Sequence, residues 1–98
     1  MTTQEFYDFV DKNITGFMLG IKAERNIEGG YFVSYKLKED DGVFLISIGF
    51  SGQEATDGFA QVFYKQPNGG KKVLYSKSFH KENLLLAWEN LKKFLLGE

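Results

Sequence analysis

The sequence predicts an α+β fold: a five-stranded antiparallel meander sheet with N- and C-terminal helices packed on one face, in the order α-β-β-β-β-β-α. Apolar residues recur at helical spacing near both ends of the chain. Between these ends, runs that alternate apolar and polar residues are separated by turn sequences rich in Gly, Asp and Asn. The 98 residues suit one domain, which we place over residues 1–98.

The first helix is predicted over residues 3–14. Thr2 and Glu5 have the spacing of a capping box, with Thr2 as the N-cap residue. Gly16 is expected to end the helix, because glycine is the usual residue just after a helix C-terminus. One side of this helix is apolar and is expected to face the core: Phe6, Phe9, Val10 and Ile14.

Five segments have the patterns of strands. Residues 17–27 and 31–38 alternate apolar and polar side chains, as strands with one face in water do. Residues 43–50 are apolar on both faces near their start, which is typical of a strand in the middle of a sheet. Residues 59–66 and 71–79 are expected to complete the sheet.

The turn sequence Asp41-Gly42 predicts the register of one hairpin. Aspartate followed by glycine favours a two-residue turn. With Asp41 and Gly42 as the turn residues, Leu37 lies opposite Ile46, and Tyr35 lies opposite Ile48. The apolar residues of both strands then share one face.

The last hairpin has two permitted turns, Asn68-Gly69 and Gly69-Gly70. The first of them places Phe63 opposite Leu74. After this hairpin, apolar residues at helical spacing predict a helix from about Lys81 to Leu96.

Composition and charge exclude several kinds of site. The chain has no cysteine, which rules out disulfides, thiolate catalysis and cysteine-ligated metals. A net charge of −1 indicates no bulk attraction to nucleic acid, although lysines outnumber acids over residues 65–98. No apolar run is long enough for a membrane span, and the N-terminus lacks the pattern of a signal peptide. We therefore expect a cytoplasmic protein with no membrane partner.

Few residues have a pattern typical of catalysis. His80 is the single histidine, and its place before a helix favours a capping or surface role. The acidic run 39–42 lacks the spaced ligands of a calcium loop, and residues 68–72 lack the full pattern of a phosphate loop. The polar loop 51–58 is the one candidate for a small-ligand site. We predict no catalysis, no metal and no cofactor.

Outward apolar side chains suggest a protein interface. They would bury an aromatic and apolar patch against a partner protein or a second copy of the chain, as binding, inhibitor or immunity-type proteins do. The predicted interface residues are Phe32, Val43, Leu45, Phe63, Leu74, Leu85, Leu86 and Leu96.

The alternative is single-stranded nucleic-acid binding through the last hairpin and helix. There aromatic rings for base stacking alternate with lysines for phosphates. Arginine, which nucleic-acid surfaces favour, occurs once in the chain. The predicted residues of this alternative surface are Tyr64, Lys65, Lys71, Lys72, Tyr75, Lys77 and Lys81.

Overall fold

A computed structural model describes residues 1–21, 24–28, 31–39, 41–52 and 54–98; for residues 24–28 it describes the backbone. The helical elements are α1 (Thr3–Phe9), a π-helical segment (Val10–Ile14), α2 (Thr15–Gly20), a 3₁₀ turn (Lys81–Asn83) and α3 (Leu84–Leu95). The strands are β1 (Glu24–Glu28), β2 (Phe32–Glu39), β3 (Gly42–Phe50), β4 (Asp57–Lys65) and β5 (Lys71–His80).

The strands form one open antiparallel sheet in the order β1-β2-β3-β4-β5, so each strand pairs with its neighbour in sequence. The predicted α+β class, with an antiparallel sheet and helices at both ends of the chain, is confirmed. The core lies on one face of the sheet, which we call the inner face. Both helical regions contribute to it, and its buried side chains include Phe6, Val10, Ile14, Met18, Val33, Tyr35, Ile46, Ile48, Val62, Leu84, Trp88 and Leu91.

The predicted strand over residues 17–27 is wrong. The N-terminal helical segment runs on through Gly16 to Gly20, and β1 is a five-residue edge strand that begins at Glu24. Strand β1 is thus shorter than the other four strands, which have eight to ten residues each. Of the predicted strand, Lys22 and Ala23 lie outside the described residues.

The π-helical segment explains why the helix continues. Phe6, Val10, Ile14 and Met18 are all buried and follow one another at steps of four residues. In an α-helix such a step overshoots a full turn by about 40° because the turn holds 3.6 residues. The wider π turn removes part of this drift and keeps the four side chains on one line. Gly16 is exposed within α2, where an added Cβ would meet no atom within 4 Å.

The start of the helix agrees with the sequence prediction. The Thr2 Oγ1 accepts a hydrogen bond from the Glu5 backbone N–H at 3.1 Å, and the Thr2 backbone N–H donates to Glu5 Oε1 at 3.2 Å. This reciprocal pair is the predicted capping box. The Tyr31 hydroxyl donates a hydrogen bond to the Met1 carbonyl oxygen, which ties the N-terminus to the sheet.

The register of the β2–β3 hairpin differs from the prediction by two residues. Leu37 lies opposite Phe44, and Glu39 lies opposite Gly42. Gly42 is therefore a strand residue and not a turn residue; Asp40 lies outside the described part of the chain. Because side chains alternate with a period of two, the slip leaves every side chain of both strands on its predicted face.

The β4–β5 hairpin contains a bulge that the sequence does not predict. Val62 lies opposite Tyr75, as expected, but Phe63 lies opposite Val73. Leu74 is the extra residue, and it packs against the core on the inner face. The prediction of Leu74 as an outward interface residue is therefore wrong, because a bulge moves the side chains beyond it to the other face.

Candidate binding surfaces

The outer face is the side of β2, β3, β4 and β5 that points away from the helices. The pairing of the strands arranges its side chains in four rows across the sheet. From one end to the other, the rows are Phe32-Gly49-Phe59-Ser78, Ser34-Ser47-Gln61-Ser76, Lys36-Leu45-Phe63-Val73 and Lys38-Val43-Lys65-Lys71.

The first row is aromatic. The rings of Phe32 and Phe59 approach to 5.8 Å between centroids, across Gly49 on the strand between them. An added Cβ at Gly49 would overlap the Cβ of Phe32, so the glycine is needed for this contact. The row is thus a small preformed patch of two partly exposed rings.

The second and third rows form a shallow depression of about 420 Å³ in the middle of the outer face. Ser34 and Ser47 share a hydrogen bond of 2.9 Å across the strands. Leu45 and Phe63 are partly exposed beside them. The Nζ of Lys71 lies 4.2 Å from the centroid of the Phe63 ring, a cation–π distance that holds the lysine over the sheet.

Charge on the outer face has one sign within these four rows. Their charged side chains are Lys36, Lys38, Lys65 and Lys71. Acids flank these rows on the described strands: the backbone register pairs Glu28 with Phe32 and Glu24 with Lys36 on β1, Glu39 follows Lys38 on β2, and Asp57 pairs with His80 beyond the aromatic row. The outer face therefore combines apolar side chains with a positive end, which suits a partner with acidic groups.

The structure divides the predicted interface residues among several surfaces. Four of them share the outer face: Phe32, Val43, Leu45 and Phe63. Leu74 belongs to the inner face. Leu85 and Leu86 are 55% and 59% exposed on α3, and Leu96 is exposed at its C-terminal end. Because α3 packs on the inner face, the leucines of the helix and the outer face do not form one patch.

The predicted nucleic-acid residues are divided as well. Lys65 and Lys71 are on the outer face, whereas Tyr64 and Lys72 form a pair on the inner side of β4 and β5. Tyr75 and Lys77 also point to the inner side, and Lys81 lies in the 3₁₀ turn. Both tyrosine rings are engaged within the protein: Tyr64 with Phe44 at 4.8 Å and Tyr75 with Phe94 at 4.9 Å between centroids.

Two outer-face residues, Phe59 and Val73, are not among the predicted interface residues. Phe59 lies in a predicted strand but is not a predicted interface residue, although its spacing of four from Phe63 places both on one face of β4. Val73, which is 56% exposed, reaches the outer face only because of the bulge. The outer-face position of Phe59 can be predicted from the alternation of β4, but that of Val73 cannot be predicted from the sequence.

His80 and the loop predicted over residues 51–58 have local structural roles. The His80 Nδ1 accepts a hydrogen bond from the Glu82 backbone N–H at 3.4 Å, at the start of the 3₁₀ turn. Part of the predicted loop 51–58 belongs to β4, and Ala55 packs against the core; Gln53 lies outside the described residues. None of the helices in the described part of the chain is long and apolar enough to cross a membrane.

A second concave surface lies between α3 and the inner side of β5, with a volume of about 650 Å³. Its apolar part includes Tyr75, Phe79, Leu86 and Phe94. Comparison with protein-family models, with curated proteins and with solved structures finds no match for this chain.

Proposed function

We propose that the protein is a non-enzymatic interaction module that binds a partner protein on the outer face of its sheet. The observation that carries the proposal is the position of the helices. In the described chain, α1, α2 and α3 pack on the inner face, so the aromatic row and the Leu45-Phe63 row have no element over them. Burial of these side chains in an interface would be favourable by about 25 cal/mol per Å² of apolar surface.

The arrangement of the outer face also resembles the anatomy of protein interfaces. An apolar centre is flanked by hydroxyl and amide groups that are able to hydrogen-bond across an interface. The row of lysines at one end would speed association with an acidic surface and would set the orientation of the partner. Inhibitor and immunity-type proteins act by such stoichiometric binding, and we propose the same mode of action for this protein.

Affinity capture with matched variants tests the proposal. The wild-type chain, Leu45→Asp and Leu85→Asp serve as three baits in lysate of the native host, and each captured protein is quantified. We expect Leu45→Asp to lose the partner, because a carboxylate in the depression opposes desolvation of the apolar centre. Leu85→Asp is the control, since it places the same charge on an exposed position of α3.

A partner captured equally by all three baits would contradict a role for the outer face. Light scattering on the purified chain distinguishes a second copy from a foreign partner. If the wild type is a dimer and Leu45→Asp is a monomer, the partner is the chain itself.

Single-stranded nucleic acid is a second candidate for the same face. The observation that favours it is the combination of three phenylalanine rings, Phe32, Phe59 and Phe63, with lysines as the charged residues of the rows. Bases stack on such rings, while lysines contact phosphates. The candidate surface thus moves from the last hairpin and helix, where the sequence predicted it, to the outer face.

Fluorescence anisotropy with labelled single-stranded DNA and RNA tests this candidate. We expect binding that weakens as salt rises, with a smaller salt dependence for Lys65→Gln because one phosphate contact is lost. Lys93→Gln, on α3, is the control. If neither strand binds at low salt, the nucleic-acid candidate is wrong and the protein partner stands alone.

A further inference from the structure

The last strand of the sheet has an open edge. In the order β1-β2-β3-β4-β5, strand β5 is terminal and pairs with β4 along one side only. Its other side therefore presents backbone N–H and C=O groups that pair with no strand in the described sheet. Residues Tyr75–His80 keep a constant register with β4, so this part of the edge is regular, whereas the bulge at Leu74 interrupts the part before it.

An apolar groove runs beside this regular edge. Tyr75 and Phe79 project from β5 into the groove, and Leu86 and Phe94 project from α3 on its opposite side. Leu86 is 59% exposed and Phe94 is 40% exposed, so the groove offers apolar surface that the chain itself does not cover. The Tyr75 and Phe94 rings contact each other from the two sides of the groove, with their centroids 4.9 Å apart.

The edge and the groove are placed to act together. A strand added beside β5 would direct alternate side chains to the two faces of the sheet. Those on the inner face would meet the groove and the flank of α3. We propose that β5 binds an acidic peptide segment as an additional strand, with apolar side chains of the peptide in the groove beside α3. This surface is separate from the outer face, and the inference does not depend on the proposed function.

Charge decides the chemistry of the peptide. Lys77 and Lys93 line the groove from β5 and from α3, and neither forms an ion pair within the described chain. The one acid that lines it, Glu98, lies at the end of the chain. Strand β5 itself contains three lysines and no acid. A peptide with acidic residues would therefore complement this edge.

The same charges oppose pairing with a second copy. Antiparallel association of two copies along Tyr75–His80 would bring Lys77 of each copy close to that of the other, and like charges across strands are destabilising. Lysine on an edge strand and a bulge are both devices that limit such self-association. The remaining occupant is a foreign extended segment whose inner-face positions carry both apolar residues and carboxylates.

Nuclear magnetic resonance on the full ¹⁵N-labelled chain tests the proposal. The probe, called the Val–Glu peptide, is an acetylated, amidated Thr-Val-Thr-Glu repeat, in which every second residue is Val or Glu in turn, so that both reach the inner face that bears Lys77 and Lys93. The control, called the Val–Lys peptide, has Lys in place of Glu. We expect the acidic peptide to shift amide signals along Tyr75–His80 and at Leu86, Asn90 and Phe94, and to slow amide exchange in β5. Signals of the outer face at Leu45 and Phe63 should shift less.

Two sets of variants make the result specific. Leu86→Glu should weaken binding by roughly tenfold or more, because it places a charge in the groove. Leu85→Glu adds the same charge at the neighbouring exposed position, which does not line the groove, and should leave binding unchanged. The double variant Lys77→Glu/Lys93→Glu should reverse the preference, so that the Val–Lys peptide binds better than the Val–Glu peptide.

Each other outcome overturns the proposal. These outcomes are no shifts at millimolar peptide, equal binding of both peptides, or shifts confined to the outer face. A chain that dimerises through β5 and becomes monomeric as Leu86→Glu would show that the edge binds a second copy. The failure of this proposal would not affect the proposed function of the outer face, because the two surfaces lie on opposite sides of the sheet.

Discussion

Tyr64 on β4 donates a hydrogen bond of 2.8 Å from its hydroxyl to the backbone carbonyl oxygen of Asp41, at the end of the β2–β3 hairpin. The side chain of Tyr64 thereby covers Gly42, the first residue of β3. A Cβ added at Gly42 would lie 2.9 Å from the Tyr64 hydroxyl and still closer to the carbonyl oxygen of Lys65. This close approach explains why residue 42 is a glycine although it lies in a strand and not in the turn.

Replacement of Gly42 by alanine should destabilise the protein. The Tyr64 ring is able to rotate away from the new methyl group, but the backbone carbonyl of Lys65 is not, so β3 and β4 must separate locally. We expect a loss of about 1–3 kcal/mol in the free energy of unfolding, which is the usual cost of overpacking. Urea denaturation measures it.

Gly52→Ala is the control for this substitution, since an added Cβ there meets no atom within 4 Å. An unchanged unfolding free energy for Gly42→Ala would mean that Gly42 is not held against β4. The register of the hairpin would then need to be revised toward the turn that the sequence predicts.

Replacement of Gly16 by alanine should stabilise the protein, by about 0.5–1 kcal/mol, because alanine loses less backbone entropy in a helix interior. The exposed position within α2 has room for the methyl group. If Gly16 instead ended the helix in a left-handed conformation, alanine would be destabilising. Thermal and urea unfolding measure the sign of the change.

Gly69→Ala provides the matched comparison. Gly69 has φ of 91° in the last hairpin turn, where a side chain is strained. We expect this variant to lose about 1 kcal/mol or more. Opposite signs for Gly16→Ala and Gly69→Ala would support the continuous N-terminal helix, and a loss of stability in both would contradict it.

The bulge in β5 makes opposite predictions for two neighbouring residues. Leu74 lies on the inner face with Phe44 and Phe94, whereas Val73 is 56% exposed on the outer face. Leu74→Asp should cost about 2 kcal/mol or more, because it places a carboxylate among apolar side chains. Val73→Asp should change stability by less than about 1 kcal/mol. Urea denaturation of both variants checks this difference.

Without the bulge, the effects of these two substitutions would be exchanged. A larger loss for Val73→Asp than for Leu74→Asp would therefore show that β5 follows the regular register. Ser76→Asp, on the outer face beyond the bulge, serves as a control for the effect of a new carboxylate in an exposed strand.

The predictions that the structure confirms depend on interactions between residues that are close together in the chain. The capping box of Thr2 and Glu5 needs only three residues of separation. The faces of β2 and β3 follow from the period of two, which survived a register slip of two residues. The outer-face positions of Phe32, Leu45 and Phe63 could be predicted for the same reason.

The predictions that failed depend on contacts between distant segments. Residues 17–27 alternate like a strand, but Met18 is drawn into line with Ile14 and Val10 by burial against the sheet. The sequence around Gly42 predicts a turn, but Tyr64, which is far along the chain, packs against this glycine in a strand. The alternation predicts that Leu74 points outward, but the bulge turns its side chain toward α3. In each case a local pattern permits two structures, and tertiary packing selects one.

The sequence by itself determined the α+β class, the helical and strand periods and the start of the first helix, because these depend on residues close together in the chain. Only the tertiary structure decided that the predicted interface residues belong to separate surfaces. Strand order brings four rows of side chains together on the outer face, and the position of α3 beside β5 creates the groove. Both depend on which strands and helices become neighbours, and long-range burial sets that arrangement.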